Sequence, residues 1–380
     1  MRVLLLMSDT GGGHRSVSRA LVDGFSIVAK ETGCPIDARV FDLFAPEAPG
    51  PIDRMTRLYG PTIRTAPAAY GLLFHATNRR QVYRQLNRWL GVGVRRRAAR
   101  VLASHRPDLV VFVHSLCISV TLDALAVLRL RVPTAAMVTE LVTVHASWFD
   151  PRVELSAVAT PETDAAMRQW GAVPERLRLT GLPVGHRFGR VDRDPKEIRA
   201  SLGLEPDRTT VLVIGGGEGS GGLDEVAQTV AEASPENQIV IVCGRNETLR
   251  RRLENQTLAC PGRVLGFVDT MADLMHAADF IVTKGGPQSV SEALTSRRPV
   301  IITQILPGQE QGNGEYVVRH GAGLLGDSPG ALAACVSMMS RDTALRRRLA
   351  AGAARLGRPD AAENAARAFA RLAIGQTTQV

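Results

Sequence analysis

At 380 residues, with 45% hydrophobic and 22% charged side chains, the chain has the material for two globular domains of ordinary size, each with its own core. Its net charge of +9 permits nucleic acid, an acidic membrane surface or phosphate-bearing substrates as partners; of 46 basic residues only Lys30, Lys196 and Lys284 are lysines. The five cysteines form no CxxC pair, which argues against a zinc site or a disulfide framework, and no stretch approaches the roughly 20 apolar residues of a membrane span. These features describe a reduced, cytoplasmic protein that meets a membrane, if at all, from its surface.

Residues 2–7 read as a buried parallel strand, followed by the turn Ser8-Asp9-Thr10-Gly11-Gly12-Gly13-His14 and a helix over 16–30. This is the opening unit of a Rossmann-like domain, with a second strand at 36–43. The turn has neither the GK[ST] ending of a P-loop nor the dinucleotide spacing. Three glycines before His14 suggest backbone that touches a small-molecule group. His14 there is either a general base, its ordinary pKa lying near neutrality, or a polar cap in a tight turn.

Residues 46–78 show no regular pattern, and so long an insertion in an α/β domain is often functional. Arg79, Arg80, Tyr83, Arg84, Asn87 and Arg88 then recur at helical spacing beside an apolar stripe of Val82, Leu86, Trp89 and Leu90, with more arginines to Arg100. A basic amphipathic helix of this kind suits a membrane surface or is simply a solvated outer helix. No nucleic-acid motif supports the charge, so nucleic acid is not expected as a partner.

Strands are predicted at 108–113, ending at His114, at 134–139, ending at Glu140, and at 157–160 and 177–180 around a helix at 162–170. Such alternation gives a mostly parallel sheet whose strand ends line one crevice. The polar stretch 185–207 reads as the linker. A strand at 209–214 restarts the pattern, and Gly217, Gly219 and Gly222 satisfy GxGxxG after it, without the acidic residue of a dinucleotide site. A strand at 238–243 ends in Gly244-Arg245-Asn246. Another at 264–268 could clamp a flat base at its end, Phe267-Val268.

The most informative stretch is 282–313. A strand at 279–283 is broken by Lys284-Gly285-Gly286-Pro287-Gln288-Ser289, and a helix is predicted over 290–296. The glycines let backbone approach a ligand, and the amides of the helix start form an anion site. Glu292 repels phosphate but can accept hydrogen bonds from hydroxyl groups such as a ribose. Gln309 and Glu310, after a strand at 300–303, bring more hydroxyl partners. Phosphate beside polyhydroxy groups points to a nucleotide sugar; the bland alternative is a strand–turn–helix without a ligand. From residue 330 onward the chain is helical and rich in Ala and Arg.

Eight segments in order, MSDTGGGHRS, VTELVTVHASWFDP, TGLPV, GGGEGSG, VCGRN, GFVDTMADLM, TKGGPQSVSEAL and PGQEQGN, resemble the monogalactosyldiacylglycerol synthase and processive diacylglycerol glucosyltransferase family, relatives of the enzyme that adds N-acetylglucosamine to lipid I. The resemblance implies a GT-B fold, two Rossmann-like domains facing each other across a cleft. The first, 1–190, would bind acceptor and membrane. The second, 191–380, would bind the nucleotide sugar, with a last helix able to cross back. It implies an inverting transferase that moves a hexose from a UDP-sugar to a lipid hydroxyl, 1,2-diacylglycerol first, at the cytoplasmic membrane and without an essential metal or other cofactor. Alternatives are a polyprenyl-linked or hydrophobic natural-product acceptor, a UDP-sugar epimerase, or a non-catalytic binding protein.

Carried over residue by residue, the resemblance gives His14 as base with Glu140 beside it in catalysis. The uracil would meet Phe267 and Val268, the ribose Glu292, and the phosphates Gly285, Gly286, Pro287, Gln288 and Ser289, with Gly217, Gly219, Gly244 and Asn246 close by. The sugar hydroxyls would meet Gln309 and Glu310, and the acceptor and membrane Gly12, Gly13, Arg80, Arg84, Arg88 and Trp89. Two departures stand out: Glu140 replaces the usual Asp, its extra methylene moving the carboxylate by about an ångström, and Gln288 stands where small residues are common.

Overall fold

The computed structural model describes residues 1–8, 12–44, 67–217 and 222–377. They form two compact units, Met1–Gly185 with Pro307–Gln309 and Asp360–Val380, and His186–Leu306 with Glu310–Pro359. The division falls after Gly185, where the sequence reading put it at 190, and the stretch expected to be a linker carries a helix of the second unit, Pro195–Ser201. Arg199 explains its place there: it donates to Asp279 Oδ2 (3.0 Å) and to the Ala277 carbonyl (2.7 Å).

In the first unit six parallel strands, β1 (Arg2–Met7), β2 (Asp37–Asp42), β3 (Leu109–Phe112), β4 (Thr134–Met137), β5 (Leu155–Val158) and β6 (Leu177–Leu179), lie in the order β2-β1-β3-β4-β5-β6. LVVF and TAAM are buried throughout, as strands covered on both faces must be. β1 pairs with both β2 and β3, so the strand order reverses direction between β1 and β3. The irregular insertion is partly helical, over Pro67–Thr77; its remainder, 46–66, lies outside the described residues. Two close approaches explain the missed helix: a Cβ at Gly71 would stand 2.8 Å from Pro307 Cβ, and one at Gly308 2.6 Å from Phe74.

The helix Ala361–Thr377 belongs to the first unit and packs on the helix Gly13–Thr32. It buries Ala361, Ala365 and Phe369 completely; each large apolar side chain so buried contributes about 1.5–3 kcal/mol.

The second unit has its own parallel sheet, β7 (Thr210–Ile214), β8 (Gln238–Val242), β9 (Gly262–Leu265), β10 (Phe280–Thr283), β11 (Val300–Ile302) and β12 (Gly323–Leu325), in the order β12-β11-β10-β7-β8-β9. This is the Rossmann strand order, reversing between β7 and β10. β9 ends at Leu265, so Phe267 and Val268 lie in the loop beyond it rather than in the strand. The helix after β10 begins at Pro287, not Val290, because proline at the first helical position fits its fixed φ and the residues after it simply continue the turn. The first helix likewise begins at Gly13, which places His14 in its first turn.

A Cβ at Gly24 would lie 2.6 Å from the Ala362 carbonyl oxygen. Gly24→Ala is therefore expected to lower the thermal midpoint, overpacking of about 1–3 kcal/mol outweighing the roughly 1 kcal/mol that alanine gains in a helix. Gly330→Ala, whose Cβ meets nothing within 4 Å, should leave the midpoint unchanged or raise it in the same calorimetric scan.

Candidate active site

In open α/β sheets, ligands bind beyond the carboxyl ends of the strands where the order reverses. In the first unit that is the end of β1 and β3, and His14 stands there. Its Nδ1 lies 2.8 Å from the Val113 carbonyl, a contact only an N–H can make as a hydrogen bond. Nδ1 therefore carries a proton, which in the neutral ring makes Nε2 the basic nitrogen. Thr139 Oγ1 is 3.4 Å from the same nitrogen. The His114 ring lies 4.4 Å from the His14 ring between centroids, and the amide of Leu116 donates to its Nδ1 (3.2 Å). Burial, aided by the neighbouring His14, holds the pKa of His114 well below its ordinary value, so His114 is neutral. Gly12 caps the helix at φ 81°, in the left-handed region glycine favours, and Gly13 opens it. Asp9, Thr10 and Gly11 lie outside the described residues.

Glu140 is buried just after β4, and Gln309 Nε2 donates to its Oε1 (3.2 Å). Tyr70 donates its hydroxyl to Gln309 Oε1 (2.9 Å), which fixes the amide's orientation. The expected pair Gln309 and Glu310 is thus divided, Gln309 grouping with the first unit and Glu310 with the second. His145, the third histidine near these strand ends, has a structural task. It accepts from the Ser147 amide (3.1 Å) and meets Thr77 Oγ1 (3.2 Å), and burial pushes its pKa down to about 4.

On the helix Arg80–Leu90 the sequence reading misjudged the faces. Tyr83 is the buried residue and Val82 is exposed, while Arg80, half-buried, stacks on Phe149 (4.8 Å). Tyr83 packs edge-on to His145, which turns the helix by one position from the expected stripe. Arg84 and Arg88 are exposed; the Trp89 side chain lies outside the described residues.

In the second unit the reversal lies between β7 and β10, and both strands end in glycine loops. Gly217 accepts from the Arg245 amide (3.0 Å), and a Cβ at Gly244, where φ is 58°, would collide with the Gly217 carbonyl, so only glycine fits. Gly219 lies outside the described residues. Asn246 caps the helix Glu247–Glu254 by accepting from the Leu249 amide (3.0 Å). Phe267 is 54% exposed and lies 5.2 Å below the Arg245 guanidinium.

After β10, the Gly285 amide donates to Gln304 (2.7 Å) and its carbonyl accepts from Asn313 Nδ2 (2.7 Å). The loop is pinned on both sides, and the helix Pro287–Thr295 starts with Gly286 as its cap and no side chain closing it. The amides of Gln288 and Ser289 belong to the first turn, where helix geometry provides no internal acceptor. Gln288 Nε2 donates to Glu292 Oε1 (2.8 Å), and burial raises the Glu292 pKa from 4.5 to about 7 against that bond. Glu310 is buried and pairs with Lys284 (3.2 Å).

The sequence reading singled out neither Asn313 nor Lys284. Asn313 gave no local signal, since it acts on a carbonyl 28 residues away. Lys284 did, as a rare lysine in an arginine-rich chain.

Two Rossmann-type units, each with its own reversal of strand order, make up the GT-B fold. The fold matches MurG of Acinetobacter baumannii (TM-score 0.61, 16% identity, 97% of this chain and 99% of that one) and S. aureus MnaA bound to UDP (0.60, 12%, 95% and 94%). Residues 14–184 match the profile of monogalactosyldiacylglycerol (MGDG) synthase and residues 210–328 that of the glycosyltransferase family 28 C-terminal domain. Over 372 residues the chain is 33% identical to a probable monogalactosyldiacylglycerol synthase of Glycine max, covering 95% of this chain and 69% of that protein. Over 369 residues it is 34% identical to probable monogalactosyldiacylglycerol synthase 2 of Oryza sativa subsp. japonica, covering 94% and 78%. The chain belongs to the monogalactosyldiacylglycerol synthase family and is a UDP-sugar-dependent glycosyltransferase.

Glu292 also gives the stability a pH dependence. Its folded pKa exceeds the unfolded one, so its ionisation costs stability: nothing below about pH 4.5, progressively more as the pH rises, and the full amount above about 7. Glu292→Gln should therefore raise the thermal midpoint at pH 8 and leave it unchanged near pH 4.5, a difference that a pair of calorimetric scans measures.

Proposed function

We propose that the chain transfers a hexose from a UDP-sugar to the free hydroxyl of 1,2-diacylglycerol, inverting the anomeric carbon and using no essential metal. The observation that carries this reading is the 2.8 Å bond from His14 Nδ1 to the Val113 carbonyl, which presents a basic Nε2 and steadies the imidazolium once it forms. The acceptor hydroxyl attacks the anomeric carbon and gives its proton to His14. The electron pair of the broken bond leaves on the β-phosphate of UDP. The Gln288 and Ser289 amides meet that charge, and Glu292 accepts from the ribose hydroxyls. Phe267 and Val268 face the uracil, while Gln309 and Glu310 serve the sugar hydroxyls. Relatives named for monogalactosyldiacylglycerol in soybean and rice support the choice of acceptor.

The reading includes an anionic membrane surface. Among the described residues no helix is long and apolar enough to cross a membrane. Leu72 (74% exposed), Leu73 and Val82 project apolar groups from the two neighbouring helices Pro67–Thr77 and Arg80–Leu90, among the exposed Arg79, Arg84 and Arg88. Apolar insertion together with about 1 kcal/mol per arginine near anionic lipid gives reversible surface binding.

His14→Ala should lower the transfer rate by about 10²–10⁴-fold and leave UDP affinity at the wild-type value; undiminished transfer would move the base elsewhere. Labelled UDP-sugars offered with diacylglycerol liposomes in EDTA should yield a monohexosyl lipid. Arg84→Glu with Arg88→Glu should weaken sedimentation with phosphatidylglycerol vesicles and leave binding to neutral vesicles unaffected.

A further inference from the structure

We propose that Lys284 is the cation that receives the diphosphate of the sugar donor, with Glu310 as the counter-ion it leaves to do so. The inference rests on the assignment of the UDP-sugar to the second unit. Lys284 directly follows β10, and Gly216 follows β7, the two strands at which the sheet order reverses. The lysine lies between their glycine loops: a Cβ on Gly216 would stand 3.3 Å from Lys284 Cε, and one on Gly286, the helix cap, 3.7 Å from Cε and 4.0 Å from Nζ. The ammonium is therefore beside the helix mouth where the diphosphate is assigned.

Its partner is the more rigid of the two. Glu310 Oε1 takes the lysine at 3.2 Å, Oε2 accepts from the Leu306 amide at 3.1 Å, and the Glu310 carbonyl accepts from the Asn313 amide at 3.0 Å. The lysine has a four-carbon stem and a side chain 24% exposed, against 6% for Glu310. A carboxylate alone beside an anion site would repel phosphate, and Lys284 cancels that charge. An arriving diphosphate carries more charge than one carboxylate and draws the ammonium toward itself. The Glu310 oxygen that the lysine leaves then faces hydroxyl groups.

The chemistry balances without a further reactant. The acceptor oxygen bonds to the anomeric carbon as that carbon's bond to the β-phosphate oxygen breaks, the electron pair leaving with UDP and the hydroxyl proton going to His14. Lys284 keeps its own proton and offsets the charge that builds on the β-phosphate. Only three of the 46 basic residues are lysines, and one stands here. A guanidinium is broad and planar, whereas an ammonium on a slender stem fits between two glycine backbones.

The test compares UDP with uridine, which lacks phosphates, by calorimetry on wild type, Lys284→Met and the double variant Lys284→Met/Glu310→Gln, alongside transfer rates. Lys284→Met should weaken UDP at least about tenfold, leave uridine affinity unchanged, and lower kcat by about 10²–10³-fold. The double variant, which removes the uncompensated carboxylate, guards against misfolding; it should recover part of the UDP affinity and none of kcat. Equal weakening of UDP and uridine in both variants, or unchanged UDP affinity and rate, would overturn the proposal. Wild-type protein that binds neither compound would overturn the donor assignment, and the role of Lys284 with it.

Discussion

The constraint on which both candidate sites depend is the reversal of strand order in each sheet. A parallel sheet sends its connections over one face until the order turns back, and at that point two neighbouring loops diverge and leave the strand ends open. β1 and β3 create that opening in the first unit and fill it with His14 and the Val113 carbonyl. β7 and β10 create it in the second and line it with glycines, Lys284 and a helix start. The chemistry of each unit follows from what its loops carry. A side chain with a fixed proton position suits proton transfer, and backbone amides without bulky neighbours suit an anion.

The electrostatics of the two units are correspondingly different. Near His14 the described contacts include a carbonyl, a hydroxyl and the His114 ring, whose pKa burial holds well below its ordinary value. Around the helix Pro287–Thr295 the structure uses charge, a buried glutamate balanced by lysine and a second glutamate whose ionisation burial resists. Glu140 accepts from the Gln309 amide, which Tyr70 orients in turn.

Much of this was legible in the residues. Apolar runs such as LVVF and TVLVI have the length and composition of buried parallel strands, and both lie fully buried in their sheets. What escaped was set by distant partners. The helix Pro67–Thr77 is poor in local signal because Gly71 answers to Pro307, and Gly308 to Phe74. The buried face of the helix Arg80–Leu90 was misjudged because Phe149 and His145 decide it. The start of the helix at Pro287 was misplaced because Gln288 and Ser289 look like loop residues, although proline had already set the turn.

The return of the helix Ala361–Thr377 to the first unit bears on how the protein is made. Emerging from the ribosome, the helix Gly13–Thr32 waits for its covering partner until more than three hundred further residues have been translated. The second unit, whose main segment is continuous from His186 to Leu306, meets no such delay in assembling β7 to β11. Vectorial synthesis therefore favours completion of the second unit first, and the first unit presents an uncovered apolar face to chaperones in the interval.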